Sequence, residues 1–201
     1  MKELNVTLTL TESMLGSQPS DPEIADTYIA SNAPDAKTRS EEIAAIGVDA
    51  AQEKAMTIFP RNEKGEPIMW DYQIKGFFKD ACGCLSRVKT EGSETKSSKL
   101  KAYKKVIDGL IFVKERQIPI IFDGKMTTCQ RPLRAMTMQG ERVTLAKSEE
   151  IPAGATLTFT IQLIDPSLEK VVLEWLDYGE LRGLGQWRNS GKGRFTYNIN
   201  S

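Results

Sequence analysis

The stretch LEWLDYGELRGLGQWRNSGKGRF, residues 173–195, changes character twice within one short span. It opens as a helix-forming run, passes into Gly183, Gly185, Gly191 and Gly193 with Arg182, Arg188, Lys192 and Arg194 among them, and ends on the aromatic that begins RFTYNI. Just upstream, Asp165 is placed as an N-cap, Pro166 at a first helical position, and Gly179 as the expected helix stop. Leu168, Val171, Val172, Trp175 and Leu176 fall at helical spacing and predict the buried face. The order is therefore helix, glycine-rich basic loop, strand. A Rossmann glycine loop follows a first strand and opens a helix, so that fold does not fit. A phosphate-binding P-loop needs a hydroxyl residue after its Lys, and GQWRNSGKG has none.

Outward from this stretch, two segments alternate as half-buried strands do. Leu4, Val6, Leu8 and Leu10 define one over residues 3–10, and Leu157, Phe159, Ile161 and Leu163 define the other within EEIPAGATLTFTIQLID. A helix is predicted over 72–87 from the apolar face of Ile74, Phe77, Phe78, Ala81 and Leu85. Residues 22–58 read as helical pieces, with Ser20 as N-cap and Glu23 three positions on. KTEGSETKSSK reads as an exposed, mobile basic loop over 88–100. GLIFVKERQIPIIF reads as one strand or hairpin arm, followed by a segment near 129–138 with which RVTLA pairs. The pattern is α+β, and it predicts a ferredoxin-like or RRM-like antiparallel sheet with helices on one face. The expected organisation is a single domain over 1–201, carrying an acidic helical insertion at 20–66.

Composition narrows the function. The chain has 201 residues, a hydrophobic fraction of 40% and no formal net charge. This suits one folded domain with a core. No apolar run reaches the roughly 18–20 residues of a membrane span, and the N-terminus lacks the build of a signal peptide, so a cytoplasmic protein with no membrane partner is expected. Cys82, Cys84 and Cys129 are odd in number and lack zinc-knuckle spacing, which predicts buried free thiols. Histidine is absent, which removes imidazole-based triads, ribonucleases and metal sites. Asp71, Asp80, Asp108 and Asp123 form no metal spacing, so no catalytic residue, metal ligand or cofactor is assigned. Residues 20–66 hold ten acidic residues against five basic ones, whereas 86–116 hold nine basic against four acidic. Such asymmetry is read either as a polyanion-binding face or as an ordinary solvated surface.

Four stretches in order resemble the RAMP (repeat-associated mysterious protein) superfamily, whose members form the RNA-binding backbone of CRISPR effector complexes. LNVTLTLTESMLGS is similar to that family's opening strand and small-residue turn. YQIKGFFKDACGCL resembles its strand-to-helix turn, with Ile74, Lys75 and Gly76 in the matching place and Gln73-Ile74 where the family has two serines. EEIPAGATLTFTIQLID resembles its inner strand, and 173–195 its helix, glycine-rich signature loop and strand. The resemblance implies an RNA-binding protein that coats a strand, a homo-oligomer or filament, and CRISPR-type effector subunits as partners. A helix start bordering an RNA channel makes Lys75 a candidate phosphate contact, with Lys79 one turn on.

The loop chemistry stands beside that resemblance. Glycines adopt positive φ and let main-chain amides approach an anion. Arg182, Arg188, Lys192 and Arg194 supply charge, and guanidinium groups hold phosphate oxygens in pairs. Trp187 either stacks on a base or anchors the loop in the core. Together with Gly183, Gly185, Gly191 and Gly193 these form the expected single-stranded nucleic-acid site. Lys99, Lys101, Lys104 and Lys105 are candidate flexible phosphate contacts, and Arg131 and Arg134 are weaker ones. RNA is the expected strand, with DNA as the other polyanion the same features hold. Two other readings stay open: a phage or mobile-element mimic of a CRISPR backbone subunit that blocks assembly, and an endoribonuclease working without histidine.

Overall fold

The computed structural model of the chain describes residues 1–20, 56–88, 95–137 and 140–200, with side chains described outside 133–144. In chain order the strands begin with β1 (Lys2–Leu10), β2 (Met14–Leu15), β3 (Gln18–Pro19), β4 (Thr57–Ile58) and β5 (Ile68–Trp70). Helix α1 (Asp71–Leu85), a 3-10 turn (Ser97–Lys99) and helix α2 (Tyr103–Leu110) follow. Then come β6 (Ile111–Val113), β7 (Gln117–Ile121), β8 (Thr127–Thr137), β9 (Gly140–Ile151) and β10 (Thr156–Leu163). Helix α3 (Glu169–Arg182) and β11 (Phe195–Asn200) complete the order. The helical reading of 22–58 falls on 21–55, outside the described residues, and Thr57–Ile58 beyond it is a strand.

The chain divides into two compact units, one comprising 1–14, 60–124 and 152–201, the other 15–59 and 125–151. The first is built on an antiparallel sheet in the order β11-β1-β10-β7-β5, with β6 also pairing β10. Lys2 to Thr9 of β1 pair with Leu163 back to Thr156 of β10, and Leu10 pairs with Phe195 of β11. Alternation then acts as expected. Leu4, Val6, Leu8, Leu10, Leu157, Phe159, Ile161 and Leu163 are all buried on one face, which α1 and α3 cover. Phe78 meets Trp175 at 5.4 Å between ring centroids, and Phe77 meets Phe195 edge-on at 5.6 Å. The opposite face of β1, β10 and β11 carries hydroxyl and amide groups. There Thr7 bonds Thr158 at 3.0 Å, and Asn200 donates to Thr7 at 2.8 Å.

The predicted single arm over 109–122 is in fact the end of α2 followed by two strands. The break between β6 and β7 places the Glu115 carboxylate where a neighbouring backbone would lie, and it accepts both the amide and the hydroxyl of Thr160. The expected mobile loop also differs where it is described. Glu174 of α3 accepts the Lys96 and Ser97 amides at 2.7 and 2.9 Å, and Trp175 donates to the buried Ser97 hydroxyl at 2.9 Å. Lys104 and Lys105 stand on α2.

In the second unit, β8 and β9 form a long antiparallel hairpin, registered from Thr127↔Glu150 to Thr137↔Gly140. This bears out the pairing expected of RVTLA. Strand β4 joins β9 in parallel at Thr57↔Ser148, and β3 pairs β4. The Arg131 guanidinium is buried and donates to Ser148 at 3.1 Å.

Asp165 does cap the turn into α3, accepting from the Ser167 amide at 2.9 Å. Gly179 is not the stop. The helix runs on to Arg182 and ends at Gly183, whose φ of 75° only glycine adopts without strain. A β-carbon at 179 would run into the Phe195 ring. At Gly76 of α1, by contrast, a β-carbon would meet nothing within 4 Å. The same substitution therefore has opposite signs at the two sites. Gly76→Ala is expected to raise stability by about 0.5–1 kcal/mol through helix propensity. Gly179→Ala is expected to lower it by about 1–3 kcal/mol through overpacking. Urea unfolding of both variants measures this, and equal shifts would contradict the packing described.

Candidate nucleic-acid interface

The loop after α3 is closed at its neck by backbone. The Leu184 amide donates to the Gly193 carbonyl at 2.8 Å, and the Gly193 amide to the Ser13 carbonyl at 2.8 Å. Gly183 and Gly193 lie so close to the opposing chain that a β-carbon at either would collide with main-chain atoms. Leu184 is buried beneath this neck. Beyond it the chain makes one 3-10 turn, Arg188–Ser190, with the Gly191 amide donating to the Arg188 carbonyl at 3.0 Å.

This geometry alters the expected phosphate cradle. The amides of Gly183, Gly191 and Gly193 are all donated within the protein, to Gly179, Arg188 and Ser13 respectively. These glycines shape the loop, and the donors left for a ligand are side chains. Lys192 donates to the Ser13 hydroxyl at 2.7 Å, and Arg194 to the Leu181 carbonyl at 3.1 Å. Those two cations serve the neck.

Arg182 and Arg188 form the site proper. Arg182 Nε and Arg188 Nη1 each donate to Asp80 Oδ2 at 2.9 Å, and Arg182 Nη1 donates to Asn189 Oδ1 at 2.7 Å. Burial by itself would raise the Asp80 carboxyl, but the Arg182 hydrogen bond and the charges of both guanidinium groups hold it below the ordinary value. It is thus a carboxylate at neutral pH, shared by two cations, and the cluster keeps one net positive charge. Both arginine side chains remain about a quarter exposed (25% and 27%).

Beside them Trp187 is 42% exposed and holds φ 55°, a left-handed conformation unusual for a bulky residue. Such strain is concentrated at functional sites. Arg182, Gly185, Gln186, Trp187, Arg188 and Asn189 line an open recess of about 340 Å³. The arrangement presents two guanidinium forks and an indole face side by side, which is chemistry for a phosphate and a flat base.

The other sequence-predicted residues lie elsewhere. Lys79 forms an ion pair with Asp108 of α2 at 2.7 Å, and that hydrogen bond keeps the Asp108 carboxyl low. Lys75 donates to the Asp108 carbonyl at 3.2 Å and lies 4.9 Å from the Phe112 ring centroid. Lys99, Lys101, Lys104 and Lys105 are exposed on the 3-10 turn and around the start of α2, and none lines the recess. Asp80 and Asn189 were not anticipated. Asp80 lies 102 residues from Arg182 in sequence, and no local pattern marks it.

Comparison with known proteins places the fold. No protein-family model matches the chain, and no curated protein matches its sequence. Among solved structures it is similar to a chain of the type III-B Cmr-β complex, solved bound to cognate target RNA, with a TM-score of 0.52 and 10% identity. That match covers all of this chain and 60% of the other. A chain of a type IV-B CRISPR complex gives a TM-score of 0.52 and 12% identity, covering all of this chain and 91% of the other. The likeness is one of fold: a mixed α+β protein with an antiparallel sheet, similar to subunits of CRISPR complexes.

The Asp80 cluster yields a pH prediction. A carboxyl held low in the folded state contributes stability above its unfolded value of 3.8. That contribution disappears as pH falls through the lower folded value. Asp80→Asn should therefore unfold more easily than the wild type at pH 7, by about 1 kcal/mol. The difference should shrink as pH falls below 3.8. A gap that stays the same across that range would show that the ion pairs contribute nothing.

Proposed function

We propose that this chain is a RAMP-like protein that binds single-stranded nucleic acid, most naturally RNA, through phosphate and stacking contacts without chemistry on the strand. The observation that carries the reading is the Arg182–Asp80–Arg188 cluster beside the exposed Trp187. A single carboxylate between two guanidinium groups fixes their direction while leaving net positive charge, which suits an incoming phosphate. The indole face next to it suits a base of any identity, so binding is expected to be tolerant of sequence.

The strand order supports a ferredoxin-like core. Taking β1, β6/β7, β10 and β11 as its four strands, the order across the sheet is fourth, first, third, second, with helices between the first and second and between the third and fourth. The open face of β1, β10 and β11 offers threonine, asparagine and glutamine in place of the aromatics an RRM uses to stack bases. Nucleic acid is therefore assigned to the loop at the end of α3. The two structural neighbours both come from multi-subunit CRISPR complexes, one of them bound to RNA. That likeness supports an RNA strand and effector subunits as the proposed partners, and on the RAMP-like reading further copies of the chain are proposed as well. No described helix is long and apolar enough to cross a membrane.

A labelled single-stranded RNA titrated with the protein at several salt concentrations tests this. Binding should weaken steeply as salt rises, and Arg188→Ala should reduce the slope of log K against log salt by about 1, the signature of one lost phosphate contact. Single-stranded DNA titrated in parallel separates RNA from DNA preference. A wild-type protein that leaves RNA free at low salt overturns the proposal.

A further inference from the structure

A second aromatic and cationic cluster lies at the start of α1, about two turns before Asp80. The Trp70 and Tyr72 rings are nearly parallel, 12° apart with centroids at 6.3 Å. The Arg116 guanidinium lies over both, 5.5 Å from the Trp70 centroid and 5.8 Å from that of Tyr72. It is oriented by Asp71, whose Oδ1 accepts from Arg116 Nη1 at 2.6 Å. The main chain ties the same two residues, since the Asp71 amide donates to the Arg116 carbonyl at 3.2 Å. The cluster is fixed, yet open: Tyr72 is 55% exposed and the Arg116 side chain 68%. Nothing in the fold requires an aromatic residue there.

The helix surface links this cluster to the loop site. Tyr72, Gly76 and Asp80 are spaced four apart and so lie on one row of α1. Eight residues of helix separate Tyr72 from Asp80, about 12 Å. Gly76 lies midway, exposed, with no neighbour that a β-carbon would touch. A mid-helix glycine costs about 1 kcal/mol relative to alanine, and here no packing accounts for it. Its effect is to leave the helix backbone bare between an arginine pair at one end and a ring platform at the other.

We infer that Trp70, Tyr72 and Arg116 form a second contact for the same strand: a platform on which one unpaired nucleobase stacks against Tyr72, with the strand running along the bare row of α1 to the Arg182–Arg188 pair. The inference rests on the proposed RNA binding and adds a named subsite, a direction and a span to it. Tyr72 supplies the stacking face, Arg116 and Trp70 hold that ring flat, and Gly76 clears the path. The platform carries one ion-paired cation, so stacking rather than charge is its contribution.

The experiment compares wild type, Tyr72→Ala, Tyr72→Phe, Gly76→Gln and Arg188→Ala as full chains. Each is titrated against a labelled single-stranded RNA of about 15 nucleotides, within the usual footprint of a single-strand site. Tyr72→Ala should bind about five- to a hundredfold more weakly, the loss of one stacked base. Its salt slope should stay at the wild-type value because no phosphate contact is lost. Tyr72→Phe should bind within about twofold of wild type, since the ring is kept. Gly76→Gln should bind more weakly even though the helix itself is strengthened. Thermal unfolding of Tyr72→Ala should fall only about 2–4 °C below wild type, because the ring loses just its contacts with Trp70 and Arg116. If Arg188→Ala weakens binding and Tyr72→Ala does not, the platform is refuted and the loop reading survives. If the wild type binds no RNA at low salt, both are refuted.

Discussion

The Phe195 ring occupies the space that a β-carbon at position 179 would need. This contact sets the last turn of α3 hard against the first residue of β11, and it decides where the intervening loop can begin and end. The close backbone approach at Gly183 and Gly193 then narrows the loop to a neck, with Leu184 sealed under it. Three positions without side chains thus hold a long excursion in one shape. The residues beyond the neck, from Gly185 to Gly191, can depart from ordinary packing because the neck is rigid.

Within that excursion the charges are organised by a residue from another element. Two guanidinium groups alone would repel each other and swing freely in solvent. The Asp80 carboxylate, fixed on α1, gives both a common direction. Burial is the largest single influence on the Asp80 carboxyl, and the hydrogen bonds and charges of the two guanidinium groups together more than offset it. What remains is an oriented cationic surface beside a strained, exposed indole. The main-chain amides of Gly183, Gly191 and Gly193 already have partners, so the proposed anion contacts are assigned to side chains.

The two faces of the sheet divide the labour differently from an RNA-binding sheet of the RRM type. One face is filled by aliphatic and aromatic side chains under the helices, and the other, across β1, β10 and β11, is a quilt of hydroxyl and amide groups bonded to one another. Its hydrogen-bonding capacity is partly engaged by neighbours, and it offers no ring for a base. Exposed rings stand instead at Tyr72 on α1 and at Trp187 in the loop that follows α3, each beside an arginine. The glycine in the middle of α1 joins those two places on a single row.

The sequence by itself determined the elements whose pattern is local. Period-two alternation gave β1 and β10 and told which residues face the core, and the apolar spacing of 72–87 and 168–176 gave α1 and α3. The density of glycine and arginine marked the loop, and with it Arg182, Arg188 and Trp187. The rest needed the tertiary structure because it depends on partners far apart in the chain. Gly179 reads as a helix stop until Phe195 is seen against it. A polar, lysine-rich stretch reads as mobile until Glu174 and Trp175 are found gripping Ser97. Asp80 reads as one of several scattered carboxylates until folding brings Arg182 and Arg188 to it. Tyr72 and Arg116 meet only because β5 pairs with β7. Local periodicity encodes which face is buried, whereas a site made of single residues from four elements has no period to betray it.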